Sequence, residues 1–295
     1  MSTAAPVVPG PLPAFHLDLG DTYGALFIGL VISAVLFGIT NLQLFVYSQS
    51  YKDDNFWSKF SITWLWFLDA LHLALISHAV YFYLVTNYGN PLELTKVIWS
   101  FHLQLVVDMA TIVTVQALYA VRLWKLTKID RYDFKSKIIP TIVTFLVIAA
   151  FGISIAVSKL IYSIKYFTQF DLIKWATFLA LVTASVVDIL IAASLCFTLA
   201  RLRTGFERTD SMIKSLMLYV INTGVLTSLC SLTALSLYAV YPHNLIFLAV
   251  EFPMTKLYVN AFLAMFNARH HLQAALNKTM NTTNLDAFVH LALSR

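Results

Sequence analysis

Residues 67–91 read FLDALHLALISHAVYFYLVTNYGNP, an apolar run that begins as a lipid-facing helix should, yet it carries Asp69, His72 and His78. About twenty apolar residues span the hydrocarbon core of a bilayer. A carboxylate within such a span belongs on the protein side, because exposing it to lipid costs roughly 2.5 to 3.5 kcal/mol even on the lenient insertion scale. The stretch therefore predicts a membrane helix with a polar inner face. Composition extends the reading to the whole chain: 59% of the 295 residues are hydrophobic, 12% are charged, and the mean hydropathy is +0.75. No soluble core needs that much apolar surface, so an all-α polytopic membrane protein is expected.

Apolar runs of sufficient length lie at 23–46, 61–84, 97–121, 138–158, 175–200, 213–240 and 245–266. They predict a bundle of seven transmembrane helices with short connections, hence one domain over 23–266. Trp57, Trp64, Trp66, Trp99, Trp124 and Trp175 fall at or near span ends, where an amphipathic ring prefers the headgroup level. Residues 1–22 are rich in Pro and lack Lys and Arg, the reverse of a cleaved leader, so the first helix is expected to be its own anchor. Cys196 and Cys230 both sit in apolar helices and behave as small hydrophobes, which excludes a disulfide between aqueous loops.

Lys and Arg set the expected orientation, since short basic loops stay in the cytoplasm. With the N-terminus outside, the inner segments hold Lys52 and Lys59; Arg122, Lys125, Lys128, Arg131, Lys135 and Lys137; Arg201, Arg203, Arg208 and Lys214; and Arg269, Lys278 and Arg295. The outer segments hold only Lys96, Lys159, Lys165 and Lys174. Residues 1–22 are then an extracellular tail and 267–295 a cytoplasmic one, which leaves the sequons at Asn277 and Asn281 unglycosylated. In that tail Leu285, Phe288, Val289 and Ala292 share a helix face, which fits either a short interfacial helix or an ordinary frayed end. The net charge of +5 thus points to the bilayer and to anionic lipid at the basic inner loops, with no nucleic-acid partner. Plasma membrane and secretory-pathway membranes fit equally.

At about 1.5 Å per helical residue, the intramembrane ionisable groups sort into two depths. His78, His102 and Glu251 form an outer tier roughly 8 to 9 Å deep. Asp69, His72, Asp108, Asp188 and Lys256 lie roughly 16 to 22 Å deep, around the midplane, and are expected to face one another. Asp69 and His72 share a face, Gln104, Asp108 and Thr111 form a stripe, and Lys256, Asn260 and Asn267 align on the last helix. Three carboxylates against one ammonium and at most one imidazolium leave a surplus that a retained proton or a bound cation must settle. The competing reading is a network that only fixes helix packing.

Several chemistries meet this pattern. A Lys on the seventh helix with an Asp on the third is the layout of a retinal photoreceptor, but FHLQLVVDMATIVTVQALYAVRLW lacks the Arg, Trp and Thr-Thr-Pro features of the microbial rhodopsins. Three histidines and an Asp could bind zinc and activate water; seven-helix hydrolases, however, place a His pair on the last helix, where this chain has Glu251 and Lys256. A haem between His78 and His102 is weaker than a bond from either to a carboxylate or carbonyl. Metal and cofactor stay unassigned. A rhodopsin-like G-protein-coupled receptor is disfavoured by YAVRLWKL and TKLYVNAFLAMFN, which lack its third- and seventh-helix motifs. On the fifth and sixth helices, Ala180, Ala184 and Ala192 and then Thr223, Thr227 and Ser231 predict close helix approach.

LGDTYGALFIG, LDALHLALISHAVYFYLVTNYGNP, RTGFERTDSMIKSLMLYVINTGVLTSLCSL and KLYVNAFLAMFNAR together resemble a family of seven-helix membrane proteins from mushroom-forming fungi, catalogued as domain of unknown function 6534. The resemblance covers roughly residues 19 to 269, with Ala261 and Phe266 departing from the usual last motif. It implies a fungal source and a multi-pass fold, and no ligand. The residues themselves favour a receptor-like or sensor-like bundle whose polar pocket is floored by His72, Asp108 and Lys256. A proton- or cation-coupled carrier using Asp69, Asp108 and Asp188 comes second, and a metal-dependent intramembrane hydrolase third. No inverted repeat or broken helix is evident, which favours the first; the chain leans away from being an enzyme.

Overall fold

The computed structural model describes residues 23–52, 54–88, 90–129, 137–202, 207–241 and 245–267. The N-terminal tail, the loop cations Arg131, Lys135 and Arg203, and the C-terminal tail with Asn277, Asn281 and its amphipathic stretch lie outside the described residues, as do the side chains of Arg208 and Thr223. Seven long helices account for most of what is described: α1 Ala25–Ser50, α2 Phe56–Tyr81, α3 Trp99–Ile129, α4 Ile138–Tyr162, α5 Lys174–Arg201, α6 Glu207–Val240 and α7 Ile246–Asn267. All seven are long and apolar enough to cross a membrane. In hydrocarbon a helix satisfies its own backbone, and hydroxyls inside these helices do likewise by bonding the preceding turn: Ser33 to Gly29, Thr111 to Val107, Ser154 to Ala150, Ser185 to Leu181.

Several helices outrun their apolar spans. α2 starts at Phe56 and continues through a wider turn at Phe82–Thr86, α3 continues to Ile129, and α6 starts at Glu207. The apolar run marks the part that must cross hydrocarbon, whereas backbone hydrogen bonding extends into the headgroup level. Trp64 and Trp66 consequently lie two turns or more inside α2, where the Trp66 indole donates to Asn41 Oδ1 at 2.9 Å.

α7 is the axis of the bundle: 67% of its most apolar window is buried, against 50% for α3, 44% for α2 and 22% for α1, α4 and α5. Contacts run α1–α2, α2–α3, α3–α4, α4–α5, α5–α6 and α3–α5. Against α1, α7 packs tightly at Gly29, where an added Cβ would lie 2.8 Å from the Ala249 Cα and 2.9 Å from its carbonyl oxygen. Asn260 Nδ2 donates to the Leu36 carbonyl at 3.0 Å, and Asn267 Nδ2 to the Gln43 carbonyl at 2.9 Å. The aligned amides of α7 are thus spent on seating α1. α5 and α6 meet at Ala192 and Gly224, where a Cβ on the glycine would come within 2.9 Å of the alanine methyl.

One end of the bundle is capped. Val97 N–H bonds the Lys165 carbonyl and Phe167 N–H the Thr95 carbonyl, both at 2.9 Å, tying the α2–α3 connection to the α4–α5 connection. Tyr23 donates to the Leu94 carbonyl and Tyr83 to the Lys96 carbonyl. At the opposite end the Arg122 guanidinium lies 3.9 Å from the centroid of Phe266. Between the ends the core divides into two large apolar clusters, with a small third one of Leu68, Leu75 and Val107 between α2 and α3. The large one toward the cap holds Ile76, Phe101, Leu105, Phe247 and Phe252. The other large one holds Leu65, Ile112, Val115, Tyr258 and Phe262. Asp69 and His72 on α2 and Asp108 on α3 lie between them in sequence, and Lys256 and Gln104 join Asp69 and His72 by direct contact, which makes a polar layer between the clusters.

Candidate binding site

Each midplane carboxylate is tied to α7 by a different residue. Lys256 meets Asp69 of α2, with Nζ at 2.7 Å from Oδ1 and both side chains fully buried. Its ammonium also donates to the Asp69 carbonyl at 2.5 Å. Thr40 of α1 donates to Asp69 Oδ2 at 3.0 Å. Asp108 of α3 accepts from Thr255. Asp188 of α5 accepts from Tyr258 and, at 2.8 Å, from Gln116 Nε2 of α3. Neighbouring helix positions are rotated by about 100°, and those three apart share a face. Thr255 and Tyr258 therefore face α3 and α5 while Lys256 turns toward α2. The carboxylates fan out around α7 instead of meeting at one point.

The remaining ionisable residues make their own contacts. His72 Nε2 pairs with Gln104 Oε1 at 3.0 Å, and its ring stands edge-on to Phe252. His72 Nδ1 and Gln104 Nε2 are buried without partners. His78 is exposed, bonds Ser100 at 2.8 Å and lies against Trp99. His102 is buried, bonds the Ile164 carbonyl at 2.8 Å and stacks on Tyr162. The two histidines thus face different neighbours, and Glu251 faces neither through a hydrogen bond. Among the described residues no three His, Cys, Asp or Glu side chains form a metal-binding group. Cys196 and Cys230 are free thiols. Beyond the spans, the Glu93 carboxylate 2.5 Å from Lys96 holds that ammonium's pKa above its ordinary value through their hydrogen bond.

A cleft opens where the polar layer meets α4 and α5. Its cavity volume is about 60 Å³, and it runs along α3 from Leu105 to Gln116, roughly 16 Å of helix. Ile153 and Val157 of α4, Ala180 and Ala184 of α5 and Phe247 of α7 supply apolar wall, and Phe170 of the cap closes one side. Asp108, Gln116 and Glu251 are its amide and acidic groups. Asp108 and Glu251 lie close enough for their charges to interact. Glu251 Oε2 and Gln116 Oε1 are buried and have no hydrogen-bond partner. His72 and Lys256 do not line this cleft; Asp108 joins it directly to the midplane cluster, and Gln116 joins it through the bond to Asp188. Asp188 lines a smaller cavity with Tyr119, Gly224, Thr227 and Tyr258.

Sequence reasoning passed over Thr40, Gln116, Thr255 and Tyr258, because neutral hydroxyls and amides did not enter a count of charges. Gln116 carried a usable signal, an amide in the apolar run TIVTVQALYAV. It also passed over Pro253, inside α7 and buried. A proline has no N–H to give the carbonyl four residues earlier, here Ala249, the residue against which Gly29 packs. α7 therefore lacks the backbone bond that would join residue 253 to Ala249.

Residues 184–271 match the model of a family of unknown function, DUF6534. The matched segment runs from within α5 through α7 and includes Asp188, Glu251, Thr255, Lys256 and Tyr258. No match was found among curated proteins or among solved structures.

Proposed function

We propose that this multi-pass membrane protein is receptor-like or sensor-like and takes a small, largely apolar molecule into the cleft between α3, α4, α5 and α7. The cleft carries the reading: small-molecule sites combine apolar walls with a few polar groups, and this cleft sets Asp108, Glu251 and Gln116 in an apolar wall between four helices. α7 supplies a route for response. Glu251 lines the cleft, Thr255 bonds its Asp108, and Pro253 lies between them. A ligand that engages Asp108 or Glu251 competes with the Thr255 bond and biases α7 about the point that lacks a backbone bond. The basic-loop asymmetry supports an N-terminus outside, in the plasma membrane or a secretory-pathway membrane, with anionic lipid at the inner loops.

The test is thermal unfolding of the nanodisc-embedded protein against a panel of small amphipathic molecules, followed through the exposure of Cys196 and Cys230. Stabilising compounds are expected for the native chain and not for Ala180→Phe, which fills the cleft. Compounds that shift both proteins equally refute the reading. A second reading, a proton- or cation-coupled carrier, is favoured by the pairing of Asp108 with Glu251 in one cleft while the buried ammonium of Lys256 is engaged elsewhere. It expects flux in proteoliposomes under an imposed pH gradient, lost in Asp108→Asn.

A further inference from the structure

The end of the bundle opposite the cap holds a second and larger cavity. Its volume is about 580 Å³, and it reaches roughly 12 Å along α3, from Leu118 to Leu126. Residues of α2, α3, α5, α6 and α7 wall it, and none of them lines the cleft described above. Leu195, Leu199, Val220, Phe262 and Met265 give it a buried apolar interior. Trp57 of α2 and Val121 of α3 also line it, yet they are 74% and 49% exposed. The cavity therefore opens sideways between α2 and α3, close to the end of the α2 span.

Its polarity changes with depth. Arg122 and Lys125 follow directly on the apolar run 97–121 and share a face of α3. The Arg122 guanidinium lies 5.3 Å from the ring centroid of Phe262 and 3.9 Å from that of Phe266, which fixes it on the α7 wall. Ser58 and Ser61 are the other polar side chains, and no acidic one is among the described lining residues. Leu118 lies one turn deeper than Arg122 on α3, and Phe262 one turn deeper than Phe266 on α7. Cations thus stand at the headgroup level with hydrocarbon wall beneath them. Water gains little in such an interior, because it needs two or more polar partners. A soluble anion meets the cations and leaves the interior unfilled, while a hydrocarbon chain alone makes no use of the cations.

We infer that this cavity binds one anionic phospholipid, with its phosphate on Arg122 and Lys125 and an acyl chain against the apolar interior. Side chains three apart on a helix are about 5 to 6 Å apart at Cβ, close enough for one phosphate to meet both. Arg offers a phosphate two parallel N–H groups, and Lys adds a point charge. The size lies within the range of about 300 to 1,000 Å³ common to small-molecule sites. Basic loops attract anionic lipid through their field alone. A walled site holds a single molecule and selects it by head and tail together.

Lipid titration of the protein in detergent, read by native mass spectrometry, tests the inference. The probes are dioleoyl phosphatidate and dioleoyl phosphatidylcholine, with glycerol 3-phosphate as a soluble competitor. The phosphatidate is expected to saturate at one tightly bound molecule, about tenfold or more tighter than the phosphatidylcholine, whose head has no net charge. Arg122→Gln and Lys125→Gln should each weaken it by about tenfold. Lys214→Gln, which removes an exposed charge outside the cavity, should leave it within about twofold. Leu199→Trp, which fills the interior and keeps both cations, should abolish the tight binding. Equal affinity of the two lipids, or equal losses in Lys125→Gln and Lys214→Gln, overturns the site. Displacement of the phosphatidate by an equal concentration of glycerol 3-phosphate assigns the cations to a soluble anion and also overturns it. The native chain alone compares the two lipids, so the test survives a variant that fails to fold. Ala180→Phe, which blocks the cleft, should not affect the phosphatidate.

Discussion

Replacing Lys256 by Met should be among the most damaging single changes in this protein. Lys256 Nζ is 2.7 Å from Asp69 Oδ1 and 2.5 Å from the Asp69 carbonyl, with no solvent access to either side chain. At that separation and an effective dielectric constant near 20 the Coulomb attraction is ~6 kcal/mol, set against the desolvation of both ions. Removing one partner leaves a buried charge uncompensated, which costs about 3 to 5 kcal/mol. Asp69 would keep only the hydroxyl of Thr40. For a chain of this size the loss corresponds to a fall in Tm of roughly 6 to 20 °C. The double variant Asp69→Leu/Lys256→Met removes both charges, and the Thr40 hydroxyl can turn fully to the Leu36 carbonyl, 3.3 Å away. It should recover most of the loss, since an apolar pair of similar volume commonly equals or exceeds a buried ion pair. Thermal unfolding of the four proteins in one detergent gives the double-mutant cycle. If Lys256→Met lies within about 1 kcal/mol of the native chain, or the double variant is no better than the worse single one, the claim that this pair is a tightly coupled buried unit is wrong.

Other expectations follow from individual contacts. Gly29→Ala forces α1 away from the Ala249 backbone and should destabilise by about 1 to 3 kcal/mol, while Gly38→Ala, with nothing within 4 Å, should be neutral or slightly stabilising in the same assay. Tyr258→Phe withdraws the hydroxyl from Asp188 and should cost about 1 to 3 kcal/mol, measured by thermal unfolding, while Gln116 keeps its bond. The pKa of Lys96 is raised in the folded chain, so whatever stability it adds is fully present below the unfolded lysine value and is lost only as pH rises through the folded one. Glu93→Gln should therefore give the same small change in Tm throughout about pH 6 to 9; a change that varies across that window would contradict the assignment.

The seven spans were legible because membrane insertion is a one-dimensional constraint: an apolar run must be long enough, and lipid admits few alternatives to a helix. The polar layer was legible in depth for the same reason. Which residues meet within that layer depends on helix rotation and neighbour order, and these are set by packing that a single chain does not display. Asp69 and Lys256 could be assigned to one level, yet nothing in their spacing says that Asp108 would turn to Thr255 and Asp188 to Tyr258. The alignment of Lys256, Asn260 and Asn267 was a true periodicity, but its meaning was a seam against α1. Glu251 and Asp108 were placed in different tiers, and a cleft running along about 16 Å of helix spans both.

The arrangement around α7 argues against a purely structural polar layer. A layer that only fixed packing could be built from fully matched pairs, as Asp69 and Lys256 are. Unmatched atoms occur in several places, His72 Nδ1, Gln104 Nε2 and Asn260 Oδ1 among them, but those of Glu251 and Gln116 belong to residues that line a void. The helix bearing Glu251 also contains Pro253, which gives up a backbone bond in the most buried span of the protein. An unmatched acceptor, empty volume and a missing backbone bond each cost stability, and Glu251, the void and Pro253 occur within about two turns of α7. Costs concentrated in this way mark a place that something else completes. The matched contacts to Asp69, Asp188, Leu36 and Gln43 hold the rest of α7 in place while that side responds.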